Sequence, residues 1–249
     1  MQIEALVFDV FGTLVDWRTS LIEDLGAFGR EREIAIDWAS FADDWRAAYE
    51  PSLARVRRGE APWVPLDALH AASFDELAAR YGIADRLPPQ DRVWCVDRWH
   101  RLRPWPDTVG GLARLRERFI TGSLSNGNVR LLVDLARGAR LGFDVIFSAE
   151  TFRHYKPDAQ VYRGAVEMLG LPAERVMLVA AHNADLVAAA SHGMRTAFVA
   201  RPAEYGPRQH ADFDADPSVD VAVRDLGELA AELILSDGEG AVDSRLCHS

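Results

Sequence analysis

Four small groups of polar residues stand directly behind short apolar runs, and their types are suited to displacement chemistry. Asp9 closes the run IEALVFDV and leads into Phe11, Gly12 and Thr13. Ser125 and Asn126 follow a second run, Lys156 follows a third within HYKPD, and Asp185 follows a fourth within AAHNAD. A carboxylate kept ionised by a nearby ammonium is a nucleophile, and a second acidic group beside it can orient or deprotonate a water molecule. Gly12 permits a tight turn after the first carboxylate, and Thr13 offers a hydroxyl to the backbone that follows. Taken singly, each residue has an ordinary structural explanation: an Asp caps a turn, a Ser-Asn pair starts a helix, a Lys is solvated. Their shared place behind successive runs makes them a set, because the reactive groups of an open α/β sheet gather beyond the carboxyl ends of its strands.

Hydrophobic patterning supplies the elements that must position them. Residues 3–10, 119–124, 143–147, 176–181, 196–200 and 219–223 are short apolar runs, as expected of strands buried on both faces. Between them, residues 108–118, 129–139, 158–169, 184–192 and 225–235 carry helical periodicity. This alternation predicts an α/β fold with a Rossmann-like, doubly wound parallel sheet. Residues 16–106 break it, with amphipathic windows at 21–29, 38–57, 66–81 and 91–102 and prolines at 62, 65, 88, 89, 104 and 106. The expected division is therefore a core of residues 1–15 plus 107–235, a helical insert of 16–106, and a weakly packed tail of 236–249.

Composition narrows the function classes. The chain has 249 residues, 49% of them hydrophobic and 27% charged, which suits a globular protein of one large domain or a domain with an insert. A formal net charge of -10 disfavours nucleic acid and anionic membranes, so an anion pocket must concentrate local cations. No window approaches the ~18 apolar residues of a membrane span, and a cytoplasmic location is expected. Cys95 and Cys247 lack the spacing of a disulfide framework or a cysteine zinc site. The basic run Arg55, Arg57, Arg58 reads as a solvated helix face, and the tryptophans crowding the insert read mainly as packing. Glycine-rich nucleotide motifs are missing, and Ser123 stands where a serine-hydrolase elbow around Ser125 needs its first Gly.

The ordered set Asp9, Ser125, Lys156, Asp185, with a helical insert between the first two, resembles the haloacid dehalogenase superfamily over nearly the whole chain. That resemblance implies a covalent aspartyl mechanism with the insert as a cap, and it leaves the reaction to be decided. The phosphatases of the superfamily carry a second Asp two residues after the nucleophile, to protonate an alkoxide, and a magnesium-binding Asp in the fourth motif. Here those positions are Phe11 and Ala181. A leaving group that departs unaided as a stable anion fits better, and halide is one. The 2-haloacid dehalogenase branch is similar in further details: Asp9-Val10-Phe11-Gly12-Thr13-Leu14 resembles its D-x-Y-G-T-L loop, Trp45-Arg46 its cap arginine, and Tyr162 follows Lys156 by six residues as its tyrosine does. The chain departs from that branch at Ala180-Ala181-His182-Asn183-Ala184-Asp185, where S-S-N-x-x-D is usual, and in Phe11 for Tyr.

The resemblance implies that Asp9 attacks a small anionic 2-haloacid, Lys156 supplies positive charge, and Arg46 and Asn126 receive the halide product. Ser125 and the turn amides are expected to take the substrate carboxylate, Asp185 with His182 the water, and Phe11 and Tyr162 part of the substrate wall. Gly12, Thr13 and Asn183 are expected as support. No metal and no cofactor is implied, and a homodimer is admitted by resemblance alone. Two rivals stay open: a phosphatase of the same fold with unusual metal ligands, and a non-catalytic binding module.

Overall fold

A computed structural model describes the backbone of residues 2–242 and the side chains of residues 2–235. In chain order the strands are β1 (Ala5–Phe8), β2 (Val15–Asp16), β3 (Arg103–Pro104), β4 (Ile120–Ser125), β5 (Val145–Ser148), β6 (Val176–Ala180), β7 (Arg195–Val199) and β8 (Val221–Val223). The helices are α1 (Trp17–Glu31), α2 (Trp38–Ala47), α3 (Tyr49–Arg57), α4 (Leu66–Arg80), α5 (Pro89–Asp97), α6 (Thr108–Arg116), α7 (Val129–Gly138), α8 (Ala149–Phe152), α9 (Ala159–Leu169), α10 (Asn183–Ala190) and α11 (Leu226–Val242). Six strands form one parallel sheet in the order β5-β4-β1-β6-β7-β8, so the winding reverses beside β1, between β4 and β6. A crevice opens at such a reversal, beyond the carboxyl ends of the strands.

β1 is buried throughout because both its faces are covered. Leu6 and Phe8 join an apolar cluster with Leu112 and Leu115 of α6, Leu131 and Leu135 of α7 and Leu229 of α11. Ala5 and Val7 face the other way, into a cluster with Val161 and Ala165 of α9 and Leu186 and Ala189 of α10. Each Leu or Val so buried contributes roughly 1.5–3 kcal/mol, and this two-sided clamp fixes where Asp9 emerges.

The helical layer α1 to α5 leaves and rejoins the sheet domain through a two-stranded antiparallel ribbon, with Val15 opposite Pro104 and Asp16 opposite Arg103. The Asp16 carboxylate then accepts the Thr19 N–H and caps α1, while Asp37 accepts from Ala39 and Ser40 and caps α2. The single amphipathic window over 38–57 is two helices, broken at Ala48, with Pro51 in the first turn of α3, where its missing N–H costs no intrahelical bond. The layer rests on the sheet domain through polar ties: Asp67 accepts from Asn128, and His100 bridges Asp67 and Asp134 at 3.1 and 2.9 Å. The ribbon and α8 are too short to leave a periodic signal, and the sequence reading did not anticipate them. α11 also runs past its expected end near 235 to Val242, so part of the expected tail is helical; residues 243–249 and the side chains from 236 onward lie outside the described residues. Among the described residues no helix is long and apolar enough to cross a membrane.

Candidate active site

β1 ends at Phe8, and Asp9 follows at the reversal with its backbone N–H donated to Val179 of β6. Gly12 turns the chain at φ +82, a conformation that side chains disfavour, and an added Cβ there would meet the Glu204 carboxylate at 2.1 Å. Thr13, one residue on, donates its hydroxyl to Asp9 Oδ2 at 2.9 Å and accepts the Ala181 N–H at 2.9 Å. It thereby ties the ends of β1 and β6 together. Arg201 anchors the same loop from behind, donating to the Thr13 carbonyl and forking onto Asp107 at 2.8 Å through both terminal nitrogens.

Lys156 reaches in from the loop after α8. Its backbone N–H is held by Asn126 Oδ1 at 2.8 Å, and its ammonium donates to Asp9 Oδ1 at 2.9 Å and Asp185 Oδ2 at 2.5 Å. Asp185 in turn accepts the Tyr162 hydroxyl at 2.6 Å. Burial alone would raise the Asp9 carboxyl, but the charge of Lys156 and the hydrogen bond from His182 prevail and hold it well below the usual carboxylate range. For Lys156, burial acts to discharge the ammonium, and Asp185 and Asp9 overcome it and raise its pKa.

His182 stands at the start of α10 between two carboxylates. Its Nδ1 lies 3.2 Å from Asp9 Oδ2 and its Nε2 2.9 Å from Glu204 Oε2. Burial opposes the charged ring, yet Glu204 and Asp9 push its pKa up to about 10, so it is an imidazolium at neutral pH. Glu204 is itself almost fully buried and accepts the Trp17 indole N–H at 3.0 Å. Asn183 points away from this pair and holds a loop: it donates to Asp212 and Asp214 and accepts the Asp216 N–H.

The helical layer closes the opposite wall. Arg46 on α2 is half-buried, with its guanidinium carbon 4.5 Å from the Tyr49 ring centroid and 5.7 Å from those of Trp17 and Tyr205. One terminal nitrogen donates to the Tyr205 hydroxyl at 3.1 Å, while Nε has no partner. A guanidinium so sparsely bonded, with its Nε shielded from solvent, is suited to accept an anion. The cavity between the two walls is about 270 Å³, which suits a small molecule. Among the described residues no three His, Cys, Asp or Glu side chains are grouped to hold a metal ion.

The structure thus brings Asp9, Phe11, Arg46, Asn126, Lys156, Tyr162, His182 and Asp185 to one cavity. Ser125, the last residue of β4, is fully buried beside Asn126, with its Oγ accepting the Gly127 N–H at 3.2 Å. Arg57 corrects an expectation. The basic run reads as solvated, and Arg55 and Arg58 are exposed, but Arg57 turns inward, lines the cavity and donates to the Lys156 carbonyl. Glu204, Trp17, Tyr49 and Tyr205 carry no motif; only the fold assembles them around His182 and Arg46.

Comparison with known proteins agrees with this architecture. The family model for haloacid dehalogenase-like hydrolases matches residues 3–193. The (S)-2-haloacid dehalogenase 1 of Pseudomonas sp. strain CBS-3 is 28% identical over 231 residues, 84% of this chain and 91% of that protein. Among solved structures, the L-2-haloacid dehalogenase PA0810 is 47% identical with a TM-score of 0.91, over 94% of this chain and 99% of that one. The defluorinating L-2-haloacid dehalogenase Rha0230 is 40% identical, also at 0.91, over 93% and 95%. An aspartate turn at the sheet reversal, a lysine between two carboxylates and a helical layer over them, found together with a family match over most of the sequence, place the chain in the haloacid dehalogenase-like hydrolase family.

Proposed function

We propose that this protein hydrolyses small 2-haloalkanoic acids to 2-hydroxy acids, with Asp9 as the covalent nucleophile and without a metal. The observation that carries the reading is the pairing of a buried, ionised Asp9 with Phe11 and Ala181 at the places where a phosphatase needs a leaving-group acid and a magnesium ligand. The names of the relatives, L- and (S)-2-haloacid dehalogenases, support the same reaction and the (S) enantiomer.

In the first step one Asp9 oxygen attacks C2 of the haloacid from the side opposite the halogen. The carbon–halogen electron pair leaves with the halide, configuration inverts, and an ester joins Asp9 to C2. Lys156 holds the attacking carboxylate ionised, and the open guanidinium of Arg46 receives the halide, with the Asn126 amide beside it. No proton is needed at this stage, which is why Phe11 suffices where a phosphatase has an acid. In the second step water attacks the carboxyl carbon of Asp9, the bond from that carbon to the ester oxygen breaks, and the product keeps an oxygen from Asp9.

His182 acquires its role through the charge of its neighbour. Asp9 is an anion before the first step and a neutral ester after it, so His182 loses one of the two carboxylates that hold its proton. It then loses that proton to solvent, accepts one from the attacking water and returns it to the product oxygen as the ester bond breaks, and the restored Asp9 carboxyl reprotonates the ring, while Glu204 keeps the ring oriented. Asp185, both of whose oxygens are engaged, fixes Lys156.

Release of halide from a panel of 2-chloro-, 2-bromo- and 2-fluoroacids, run with and without chelator beside a phosphate-ester panel, tests this directly. Halide release unaffected by chelator is expected. Magnesium-restored phosphate release would establish the phosphatase instead, and inactivity on both panels would favour the binding module.

A further inference from the structure

We propose that Arg57 of the helical layer binds the substrate's carboxylate by displacing Glu50, while Arg46 takes the halide; the assignment rests on the dehalogenase reading above. The cavity is lined by three fixed cations, Lys156, Arg46 and Arg57, together with His182. Two of these four are already neutralised. Lys156 is bonded to both Asp9 and Asp185, and His182 lies between Asp9 and Glu204. The two arginines remain for the substrate.

A 2-haloacid in the act of displacement has two anionic ends, a carboxylate and a departing halide, on either side of one carbon. The arginines differ in ways that match these ends. Arg46 is enclosed among three aromatic rings with an unpartnered Nε, a setting for a monatomic, polarisable anion that must be desolvated. Arg57, its side chain 17% exposed, lines the same cavity beside the exposed Glu50. One of its terminal nitrogens is tethered to the Lys156 carbonyl at 3.1 Å, which holds the guanidinium over the loop that carries Lys156 towards Asp9.

The other terminal nitrogen is paired with Glu50, whose side chain is 62% exposed. An ion pair open to solvent contributes little, so one carboxylate exchanges readily for another. The planar fork of Arg57 accommodates either. The exchange also serves selectivity, since an uncharged haloalkane offers nothing to displace Glu50.

Steady-state kinetics on (S)-2-chloropropionate with Arg57→Ala, Arg57→Lys and Glu50→Gln test the assignment, beside calorimetric titration of each protein with lactate. For Arg57→Ala we expect KM to rise about tenfold or more with kcat within about threefold, the mark of lost ground-state binding. Lactate affinity should fall in parallel, Arg57→Lys should lie between, and Glu50→Gln should lower KM by about two- to fivefold. An Arg57→Ala enzyme whose KM and lactate affinity stay within about twofold of wild type, or whose loss falls wholly on kcat, overturns the assignment. If the wild-type protein releases no halide, the dehalogenase reading is what fails, and the lactate titration still decides whether Arg57 binds a carboxylate.

Discussion

The two walls of the cavity are built on opposite plans. On the sheet side the side-chain oxygens and nitrogens nearest the chemistry are already bonded to one another: Asp9 to Thr13, Lys156 and His182, and Asp185 to Lys156 and Tyr162. On the helical side Arg46 makes one hydrogen bond and leaves Nε unsatisfied, and Arg57 is held by a carbonyl and by a carboxylate open to solvent. A nucleophile must be held in one place before substrate arrives, because its geometry sets the barrier. A receptor must keep bonds in reserve, since its contribution comes only when the ligand fills them. On the proposed reading the sheet wall carries the reaction and the helical wall carries the recognition, and substitutions on the two should fail in different ways.

The sharpest test of that contrast is Asp9→Asn. The amide keeps the shape and loses the nucleophilic charge, so turnover should drop by on the order of 10⁴-fold or more, without an equivalent loss of lactate binding. In heavy-oxygen water with wild-type enzyme in excess, a single turnover should label the Asp9 peptide, as read by mass spectrometry, and leave the first hydroxy acid unlabelled. Label appearing only in the acid would mean that Asp9 acts as a base on water. Arg46→Ala comes next. Removing this guanidinium should lower kcat about 10²- to 10³-fold, by analogy with loss of a donor to developing negative charge, and Arg46→Lys should recover only part, for want of the planar fork. Near-normal turnover would show that the halide is received elsewhere.

Glu204→Gln should have a smaller effect, about 10- to 100-fold on kcat, with the alkylated Asp9 peptide accumulating because its hydrolysis is the step impaired. The same substitution reads out in stability. His182, raised from 6.5 to about 10 in the folded protein, contributes stability that is complete below about pH 6.5 and is lost as pH rises towards 10. Withdrawing the Glu204 charge lowers that folded-state value and should flatten the decline of the unfolding midpoint across this window. An unchanged alkaline decline would detach the stability effect from His182.

How much of this was legible in the sequence depended on whether a feature has a period. The six sheet strands and the helices between them announced themselves because strands covered on both faces must be continuously apolar. Asp9 followed, since a strand end is a position that a linear pattern marks, and Lys156 and Asp185 stand in the segments that leave β5 and β6. The ribbon of β2 and β3, two residues on each side, was invisible for the opposite reason. Arg57 was misjudged because its helix is polar on most sides, and what turns it inward is a carbonyl almost a hundred residues away. Glu204 sits in an irregular loop after β7, and the one local hint of it is Gly12, whose missing side chain leaves the space its carboxylate fills.

The ribbon itself has a consequence for how such an enzyme changes its diet. Because Val15 lies opposite Pro104 and Asp16 opposite Arg103, the chain departs from the sheet and returns to it at neighbouring points. Everything between them is, to the sheet, the tip of a hairpin. A tight turn joining Asp16 to Arg103 would complete the same ladder and leave Asp9, Lys156 and Asp185 where they are. Lids of other lengths and linings are therefore interchangeable parts, and new substrates can be acquired by swapping the tip of one hairpin while the reaction is inherited intact.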